Sequence, residues 1–550
     1  MSTRRRPKFT GLFHDEIVTD SYWIREQAEL ALPPLGGIKR LSVVGEMLPP
    51  TPADPTSAGE LGLGVYLDGR EMAARPALPV GPFRFDLVLP ASDTTNGHTL
   101  ALQLIGAGGG NMLAWLGRVT GIARLQPWRR QAANRRLRIQ RIEADGDKCG
   151  SLGGDKCSSL GGEVLFDFSN RASPWNAGFA RRFLKLGLNL VGYFRADLGI
   201  GESVRCMARA AEAAALPLAL VDLKLPCKNP LSDDTLAARL QPDNPHPVNV
   251  IHVDPPGMRD LDYHHGPGFR RGKYNIGYWA WELPEFPDAW THFAEYCQEV
   301  WAPSRFAAEA IALKVPVPVL TMPHAISFAR PAGDFRAEFG LPADRFLFLF
   351  LYDLNSYSER KNPAAVLEAF RRSGLAGSGT GLVIKVHNIA GNPADFERLR
   401  AAAAELPNVT LITRTLSRRE IYELEAACDC FISLHRSEGF GLAVAESMYL
   451  GKPVISTDWS GTTEFVTAAN GCPVRCALVT LDRNHGPYAK GQTWAEPDVD
   501  HAAWWMRQLA QDRPLVQKLG AAARATMEDK FSPATIGARY RQRLEAIAGW

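Results

Sequence analysis

The chain of 550 residues is too long to fold around a single hydrophobic core, so two to four domains are expected. Its hydrophobic content of 46% and charged content of 22% are typical of a folded globular protein. The formal net charge of +3 is too small for a nucleic-acid binder, which needs a concentrated basic surface.

The sequence also bears on the location of the protein. The longest apolar runs, such as RFLFLFLY, have the length of a strand and fall far short of a membrane span. No apolar run follows the basic amino terminus MSTRRRPKFT, so no signal peptide is predicted. The nine cysteines form no CxxC pair, which favours reduced thiols in a cytoplasmic protein. Any contact with the inner membrane is expected to be peripheral.

Residues 38–145 consist of short runs in which apolar and polar residues alternate. In LGLGVYLDG, for example, Leu63 and Val65 share one face. Turn signals such as Asp68–Gly69 separate the runs. This pattern predicts an antiparallel β-sandwich over 38–145, preceded by an amino-terminal segment at 1–37. A second turn is predicted at the Asn-Gly pair of TTNGHT.

A tandem repeat, GDKCGSLG followed by GDKCSSLG, comes after the predicted sandwich. Small and polar residues of this kind cannot build a core, so a flexible Gly-rich linker is predicted over 146–183. Cys149 and Cys157 lie in the repeat, and a metal pair is the alternative interpretation of them. That alternative is disfavoured because no further ligands lie nearby.

From Leu184 onward strands alternate with helices, as in parallel α/β proteins. One half is predicted at 184–325 and a second, with carboxyl-terminal helices, at 326–550. The Pro-rich stretch VPVPVLTMPHAI connects them. Two Rossmann-like domains facing a cleft are therefore expected, and small ligands bind at the carboxyl ends of such strands.

The segment SEGFGLAVAE carries the strongest functional signal. A predicted strand ends just before it, a loop carries Glu438, and a helix opens at the GFG that follows. Glycines at a helix mouth let a phosphate approach bare N–H groups, and the helix dipole favours its negative charge. Glu446 lies on the same helix, where its carboxylate can accept hydrogen bonds from hydroxyl groups.

SEGFGLAVAESMYLGKPVISTDWSGTTEF resembles the donor-site signature of glycosyltransferase family four, whose members are retaining enzymes of the GT-B fold. The resemblance implies that Glu438 and the GFG backbone face the donor sugar and phosphates, while Glu446 holds ribose hydroxyls. It implies a donor side made of Arg360, Lys361, Lys385, Gly439, Phe440, Gly441, Glu446, Gly461 and Glu464.

NSYSERKNPAAVLEAF resembles the loop in which that family places a lysine against the diphosphate. The resemblance assigns this role to Lys361, with Arg360 beside it. The family usually has an arginine five residues before the lysine, where this chain has Ser356. Either Arg360 or Lys385 is expected to supply the missing charge.

The first half resembles the acceptor-binding lobe of the same family. The resemblance implies acceptor-side roles for Gly199 and Gly201 in a glycine loop. Two further acceptor-side candidates come from the residues themselves: His252 ends the predicted strand VNVIHV at the cleft, and the ring of Trp281 can stack on a sugar. A hydrogen-bonded structural histidine is the alternative interpretation of His252. GYWAWELPEFPDAW and EVWAPSRF also resemble members that act in bacterial polysaccharide and O-antigen assembly.

The resemblance implies transfer of a hexose, with mannose and glucose as candidates, from a nucleotide diphosphate sugar to a glycan or lipid-linked glycan. Glu438 and Lys361 are the expected catalytic pair, with Glu438 either a nucleophile or a positioning group. Because cations and a helix mouth meet the leaving diphosphate, neither metal nor cofactor is expected. The sandwich is expected to hold the growing glycan or an assembly protein. A glycan-binding protein and a nucleotide-sugar epimerase are the alternatives.

Overall fold

The computed structural model describes residues 9–13, 22–32, 38–47, 62–89, 98–105, 137–146, 163–167, 186–266, 268–315 and 317–548. The chain divides into two compact units. The first comprises Met1–Leu186 with Ala312–Leu320 and Gln542–Trp550, and the second comprises Gly187–Ile311 with Thr321–Arg541. Among the described helices, none combines the length and the apolar character that crossing a membrane requires.

The first unit contains an antiparallel sheet of nine strands. Its strands are β1 (Phe9–Phe13), β2 (Tyr22–Leu32), β3 (Ile38–Met47), β4 (Gly62–Leu67), β5 (Arg70–Arg75), β6 (Gly81–Val88), β7 (His98–Ile105), β8 (Leu137–Gly146) and β9 (Glu163–Asp167). Their order is β5-β4-β7-β2-β8-β3-β6, with β1 on β2 and β9 on β8. The strand β2 pairs with β7 through one end and with β8 through the other, so it joins both parts of the sheet.

Alternation of apolar and polar residues builds this sheet. In β6 the side chains of Phe83, Phe85 and Leu87 are buried, while their neighbours face outward. Asp68 and Gly69 both have positive φ, as a two-residue hairpin turn requires, and they connect β4 to β5 as predicted.

The sheet extends beyond the predicted bounds of 38–145. β1 and β2 lie in the predicted amino-terminal segment, and β9 lies in the predicted linker. Cys149, Cys157 and the predicted Asn-Gly turn fall outside the described residues. The exact division of the chain into domains stays a prediction.

Two six-stranded sheets follow along the chain from residue 188. The strands from residue 188 onward are β10 (Leu188–Gly192), β11 (Leu218–Asp222), β12 (Val248–His252), β13 (Tyr274–Tyr278), β14 (Glu299–Ala302), β15 (Val319–Thr321), β16 (Phe346–Asp353), β17 (Thr380–His387), β18 (Val409–Ile412), β19 (Cys430–Ser433), β20 (Val454–Thr457), β21 (Cys472–Val474), β22 (Cys476–Thr480) and β23 (Thr493–Pro497). The strands β22 and β23 form an antiparallel hairpin.

Helices fill the connections between these strands. They are α1 (Gly199–Ala213), α2 (Gly257–His265), α3 (Arg305–Ala312), α4 (Ser358–Lys361), α5 (Pro363–Ser373), α6 (Pro393–Ala404), α7 (Arg418–Ala427), α8 (Leu442–Tyr449), α9 (Val499–Gln511), α10 (Arg513–Lys530) and α11 (Pro533–Ala548). Strands covered by helices on both faces are apolar throughout, and the FLFLFLYD of β16 is of this kind.

The strand orders place two crevices at the carboxyl ends of the sheets. The first of the two six-stranded sheets runs β11-β10-β12-β13-β14-β15 and is called the first sheet below; the second sheet runs β18-β17-β16-β19-β20-β21. The pairs from β10 to β14 and from β16 to β21 are parallel. The order reverses beside β10 and beside β16, and ligands bind at such switch points in α/β sheets. The two predicted Rossmann-like halves are therefore present.

Candidate active site

A cavity of about 660 Å³ lies at these carboxyl ends and is lined by both sheets' loops. Most of the predicted site residues line it, namely Gly199, His252, Trp281, Arg360, Lys361, Lys385, Glu438, Gly439, Phe440, Gly441 and Glu446. Gly201, Gly461 and Glu464 are not among the lining residues.

Glu438 stands at the centre of a compact charge cluster. Its carboxylate is ion-paired with the amine of Lys361, and its Oε2 lies 3.1 Å from Nη1 of Arg360. Burial alone would raise the pKa of Glu438, but the charges of Lys361 and Arg360 hold that pKa at about 2. Glu438 is therefore a carboxylate at every pH at which the protein would be assayed.

Local structure presents the two cations to the cavity. The helix α4 is only one turn long, because Asn362 adopts a left-handed conformation and caps the next helix through the Ala365 N–H. The Asn362 amide also donates to the Leu434 carbonyl at 3.1 Å. The single turn of α4, which carries Arg360 and Lys361, is thus fixed against the end of β19, where the Glu438 loop begins.

The glycines of this site act through close backbone packing. Gly441 has φ +97° and precedes α8, whose amino terminus opens on the cavity. A Cβ on Gly461 would lie 2.3 Å from the Gly439 carbonyl oxygen, so Gly461 supports the Glu438 loop from behind. On the first-sheet side, a Cβ on Gly201 would lie 2.3 Å from the Ala196 oxygen, which ties α1 to its preceding loop.

Glu464 is hydrogen-bonded to the backbone at the beginning of α3. Its Oε1 accepts the Phe306 N–H at 3.1 Å, at the beginning of α3. Burial raises the pKa of Glu464 to about 7, although N–H groups of Phe306 and Arg305 oppose the rise. A carboxylate at a helix amino terminus stabilises the helix, which favours a structural role for Glu464, and its donor-side role stays a prediction.

Glu446 belongs to a second buried charge cluster. Its carboxylate, with 3% of the side chain exposed, is ion-paired with Arg418 of α7. The Arg418 Nε also lies 3.3 Å from Glu202 of α1, which in turn pairs with Arg205 and Arg209. The cluster connects helices of both sheets, and the sequence gives no sign of it because its members are far apart in the chain.

The two candidates for the missing cation differ in their surroundings. Arg360 is bound to Glu438, whereas the Lys385 amine donates to the Val386 carbonyl at 2.7 Å. Burial lowers the pKa of Lys385 to about 8, with Asp353 opposing the shift. Ser356 also lines the cavity.

This pKa gives a test of whether Lys385 meets the diphosphate. Below pH 8 the amine is a cation, and above pH 8 it loses its proton, so a bound diphosphate loses attraction as pH rises. If Lys385 supplies the charge, nucleoside diphosphate affinity is expected to fall by up to about tenfold per pH unit above pH 8. Calorimetry at pH 7 to 9.5 measures this, and Lys385→Met should bind with a flat profile. Equal profiles in both proteins would leave Arg360 as the compensating cation.

His252 is hydrogen-bonded within the cavity wall. Its Nε2 lies 2.6 Å from the Ser203 hydroxyl, which also approaches His324 at 3.3 Å. Burial lowers the pKa of both histidines to about 3, so both rings are neutral. These contacts fit the structural interpretation of His252, while its position on the cavity keeps an acceptor role open.

Trp281 is almost fully buried, with its indole N–H bonded to the Glu285 carbonyl at 2.8 Å. It packs on Trp290, whose ring centroid lies 5.3 Å away. Several lining residues were not predicted, among them Asp254, Glu282, Arg418 and Tyr488. Asp254 and Glu282 could have been found, since each follows a predicted strand end, but nothing in the sequence marks Tyr488.

Comparison with known proteins finds a matching family model and a similar curated protein. A family model described as glycosyl transferases group 1 matches residues 333–526. The chain is 24% identical over 195 residues to the alpha-1,3/1,6-mannosyltransferase ALG2 of Homo sapiens, which covers 33% of this chain and 42% of that protein. The chain thus spans less than half the length of this curated relative.

Similar solved structures include Alr3699/HepE of Anabaena in complex with UDP and glucose, with a TM-score of 0.47 and 14% identity over 66% of this chain and 100% of that one. Sucrose-phosphate synthase of Thermosynechococcus elongatus has a TM-score of 0.49 and 14% identity over 65% of this chain and 98% of its own. The residues that match the family model, 333–526, include the whole of the second sheet. The predicted α/β class with two Rossmann-like halves is confirmed.

Proposed function

We propose that the protein is a retaining glycosyltransferase that moves a hexose from a nucleotide diphosphate sugar to a glycan or lipid-linked glycan. The observation that carries the proposal is the cluster of Glu438, Lys361 and Arg360 beside the mouth of α8, inside one cavity. Synthesis of a surface polysaccharide in the cytoplasm, at the inner membrane, is the setting we infer for it. Accordingly, the first unit would hold the acceptor or an assembly protein.

Departure of the nucleoside diphosphate is the step that these residues would assist. Breaking the glycosyl phosphate bond places negative charge on the leaving phosphate and positive charge on the anomeric carbon. Lys361, Arg360 and the N–H groups at the mouth of α8 are preorganised donors for the first of these charges. Charge stabilisation of this kind needs no metal, so we expect activity to survive EDTA.

Glu438 is better suited to positioning than to nucleophilic attack. A carboxylate with a pKa of about 2 that is paired with two cations has low basicity, and nucleophiles are usually activated rather than restrained. When a diphosphate replaces Glu438 as the ion-pair partner of Lys361, the freed oxygen of Glu438 can accept a hydrogen bond from a sugar hydroxyl. This exchange of partners would link donor binding to the orientation of the sugar.

The first test is binding of the donor nucleotide. A thermal-shift panel of nucleoside diphosphates and nucleotide sugars should give one stabilising base and sugar, because binding to the folded state alone raises Tm. Release of free nucleoside diphosphate should then depend on an added acceptor. Release without acceptor dependence would favour an epimerase or hydrolase, and no nucleotide binding would favour a glycan-binding protein.

A second prediction concerns Glu446. Glu446→Ala is expected to raise the donor KM by about 10- to 100-fold, the size of a lost hydrogen bond to a charged acceptor, with little change in kcat. Glu423→Ala is the matched control, because Glu423 is also a buried, ion-paired glutamate but lies outside the cavity. An unchanged donor KM in Glu446→Ala would remove Glu446 from the nucleoside site.

A further inference from the structure

The loop after β13 approaches the charge cluster from the first-sheet side. It carries Glu282, which lines the cavity, and the Ser437 hydroxyl donates to its backbone carbonyl. Nearby, the Ser304 hydroxyl donates to the Gly439 carbonyl at 2.5 Å. Both neighbours of Glu438 are therefore bonded to the first-sheet side, Ser437 through its side chain and Gly439 through its backbone.

The hairpin β22–β23 also contacts this cluster. Its connecting loop carries Tyr488, which is 2% exposed and lines the cavity although it comes from a distant part of the chain. Reciprocal backbone bonds between His485 and Tyr488, of 2.9 and 3.1 Å, close the tip of the loop. Gly486 beside them has positive φ, and a Cβ there would lie 2.1 Å from the Tyr357 ring. The loop therefore delivers Tyr488 to a fixed position.

Glu282 and Tyr488 meet at Arg360. The Tyr488 hydroxyl donates to Glu282 Oε2 at 3.2 Å, and the other Glu282 oxygen lies 4.0 Å from Arg360 Nη2. The Tyr488 ring lies beneath the same guanidinium, with 5.9 Å between its centroid and the central carbon. Arg360 thus contacts Glu438 through Nη1, Glu282 through Nη2 and the Tyr488 ring through the face of its guanidinium.

We propose that Glu282 and Tyr488 are positioning residues, which keep Arg360 in place while Glu438 exchanges its cation partner for substrate. The inference rests on the proposed function. Within this cluster the two cations Lys361 and Arg360 face two carboxylates, and an arriving diphosphate competes with Glu438 for the cations. Glu282, fixed by the Tyr488 hydroxyl, gives Arg360 a counter-charge that does not leave with Glu438. Arg360 then stays aimed at the diphosphate when charge develops on it.

Tyr488→Phe is the sharpest test, because it removes the hydroxyl and keeps the ring beneath Arg360. It is expected to lower kcat about tenfold, the usual size of one lost hydrogen bond to a charged group, with donor KM within about twofold. Glu282→Gln keeps the shape, removes the charge and should act in the same direction. Tyr296→Phe is the matched control, since Arg270 lies 4.4 Å over the Tyr296 ring outside the cavity.

A double-mutant cycle separates positioning from a general loss of structure. In an Arg360→Lys background, Tyr488→Phe is expected to cost less than about twofold further, because its effect acts through Arg360. Wild-type kcat in both Tyr488→Phe and Glu282→Gln, or the same loss in the Arg360→Lys background, would overturn the inference alone. If the wild-type protein does not release nucleoside diphosphate in an acceptor-dependent way, the proposed function is overturned, and the inference with it.

Discussion

Glu438→Gln is expected to lower kcat by about 10²- to 10³-fold while it tightens the binding of nucleoside diphosphate, as loss of a preorganised charge in a buried site would do. In the free protein Glu438 is ion-paired with both Lys361 and Arg360. A glutamine of the same shape releases these cations to the diphosphate, so product binds better, while the sugar loses its charged partner. Opposite changes in turnover and nucleotide affinity are the signature of this site.

Steady-state kinetics and calorimetry on the same preparations measure the two changes. Glu423→Gln serves as the control for loss of a buried, ion-paired glutamate elsewhere in the second unit. Weaker nucleotide binding in Glu438→Gln would show that the carboxylate organises the cations instead of competing for them. Wild-type turnover would remove Glu438 from the reaction.

The pH dependence of the wild type supplies an independent check on Glu438. Its pKa is lowered in the folded state, so its ion pairs contribute stability that is complete above the ordinary carboxyl range and is lost as pH falls towards about 2. Between pH 5 and 9 the group stays ionised. Between pH 5 and 9 the pH–activity profiles of the wild type and of Glu438→Gln are therefore expected to have the same shape.

The fold was largely predictable because its local signals agree with its tertiary structure. A parallel strand that is buried on both faces must be apolar throughout, and β16 shows this in the sequence itself. Asn362 before a proline marks the beginning of α5, and Gly374 marks its end. The antiparallel sheet was less predictable at its edges. The run YWIREQAELAL of β2 interrupts its apolar residues with charges, and EVLFD of β9 follows a Gly-rich repeat.

The site was predictable where its residues are contiguous. Glu438, the GFG and Glu446 lie within ten residues, so one strand-loop-helix junction places them together. Contacts between residues that are distant in the chain could not be predicted from the sequence in this way. Arg418 reaches Glu446 from another helix, and Tyr488 reaches Glu282 from a hairpin more than two hundred residues away in the chain. Glu464 lies in the predicted loop, but its carboxylate accepts a hydrogen bond at the beginning of α3 and is not among the residues that line the cavity.

Lys361→Ala is expected to lower kcat by about 10²- to 10³-fold, which is the usual effect of removing one preorganised donor to a developing anion. The side chain of Lys361 is one-fifth exposed and lines the cavity, so its amine can transfer from Glu438 to an arriving phosphate with little movement. Because the charge it meets grows in the transition state, kcat should suffer more than the acceptor KM.

Two further variants distinguish this role from general electrostatics. Lys361→Arg keeps the charge and should recover part of the lost turnover, although a planar guanidinium fits one phosphate oxygen less closely than an amine does. Lys490→Ala removes an exposed lysine outside the cavity and should behave as the wild type. Kinetics with saturating donor and varied acceptor give both constants for each variant. A Lys361→Ala protein that binds nucleotide normally and turns over at the wild-type rate would show that Arg360 and the mouth of α8 suffice for the leaving diphosphate.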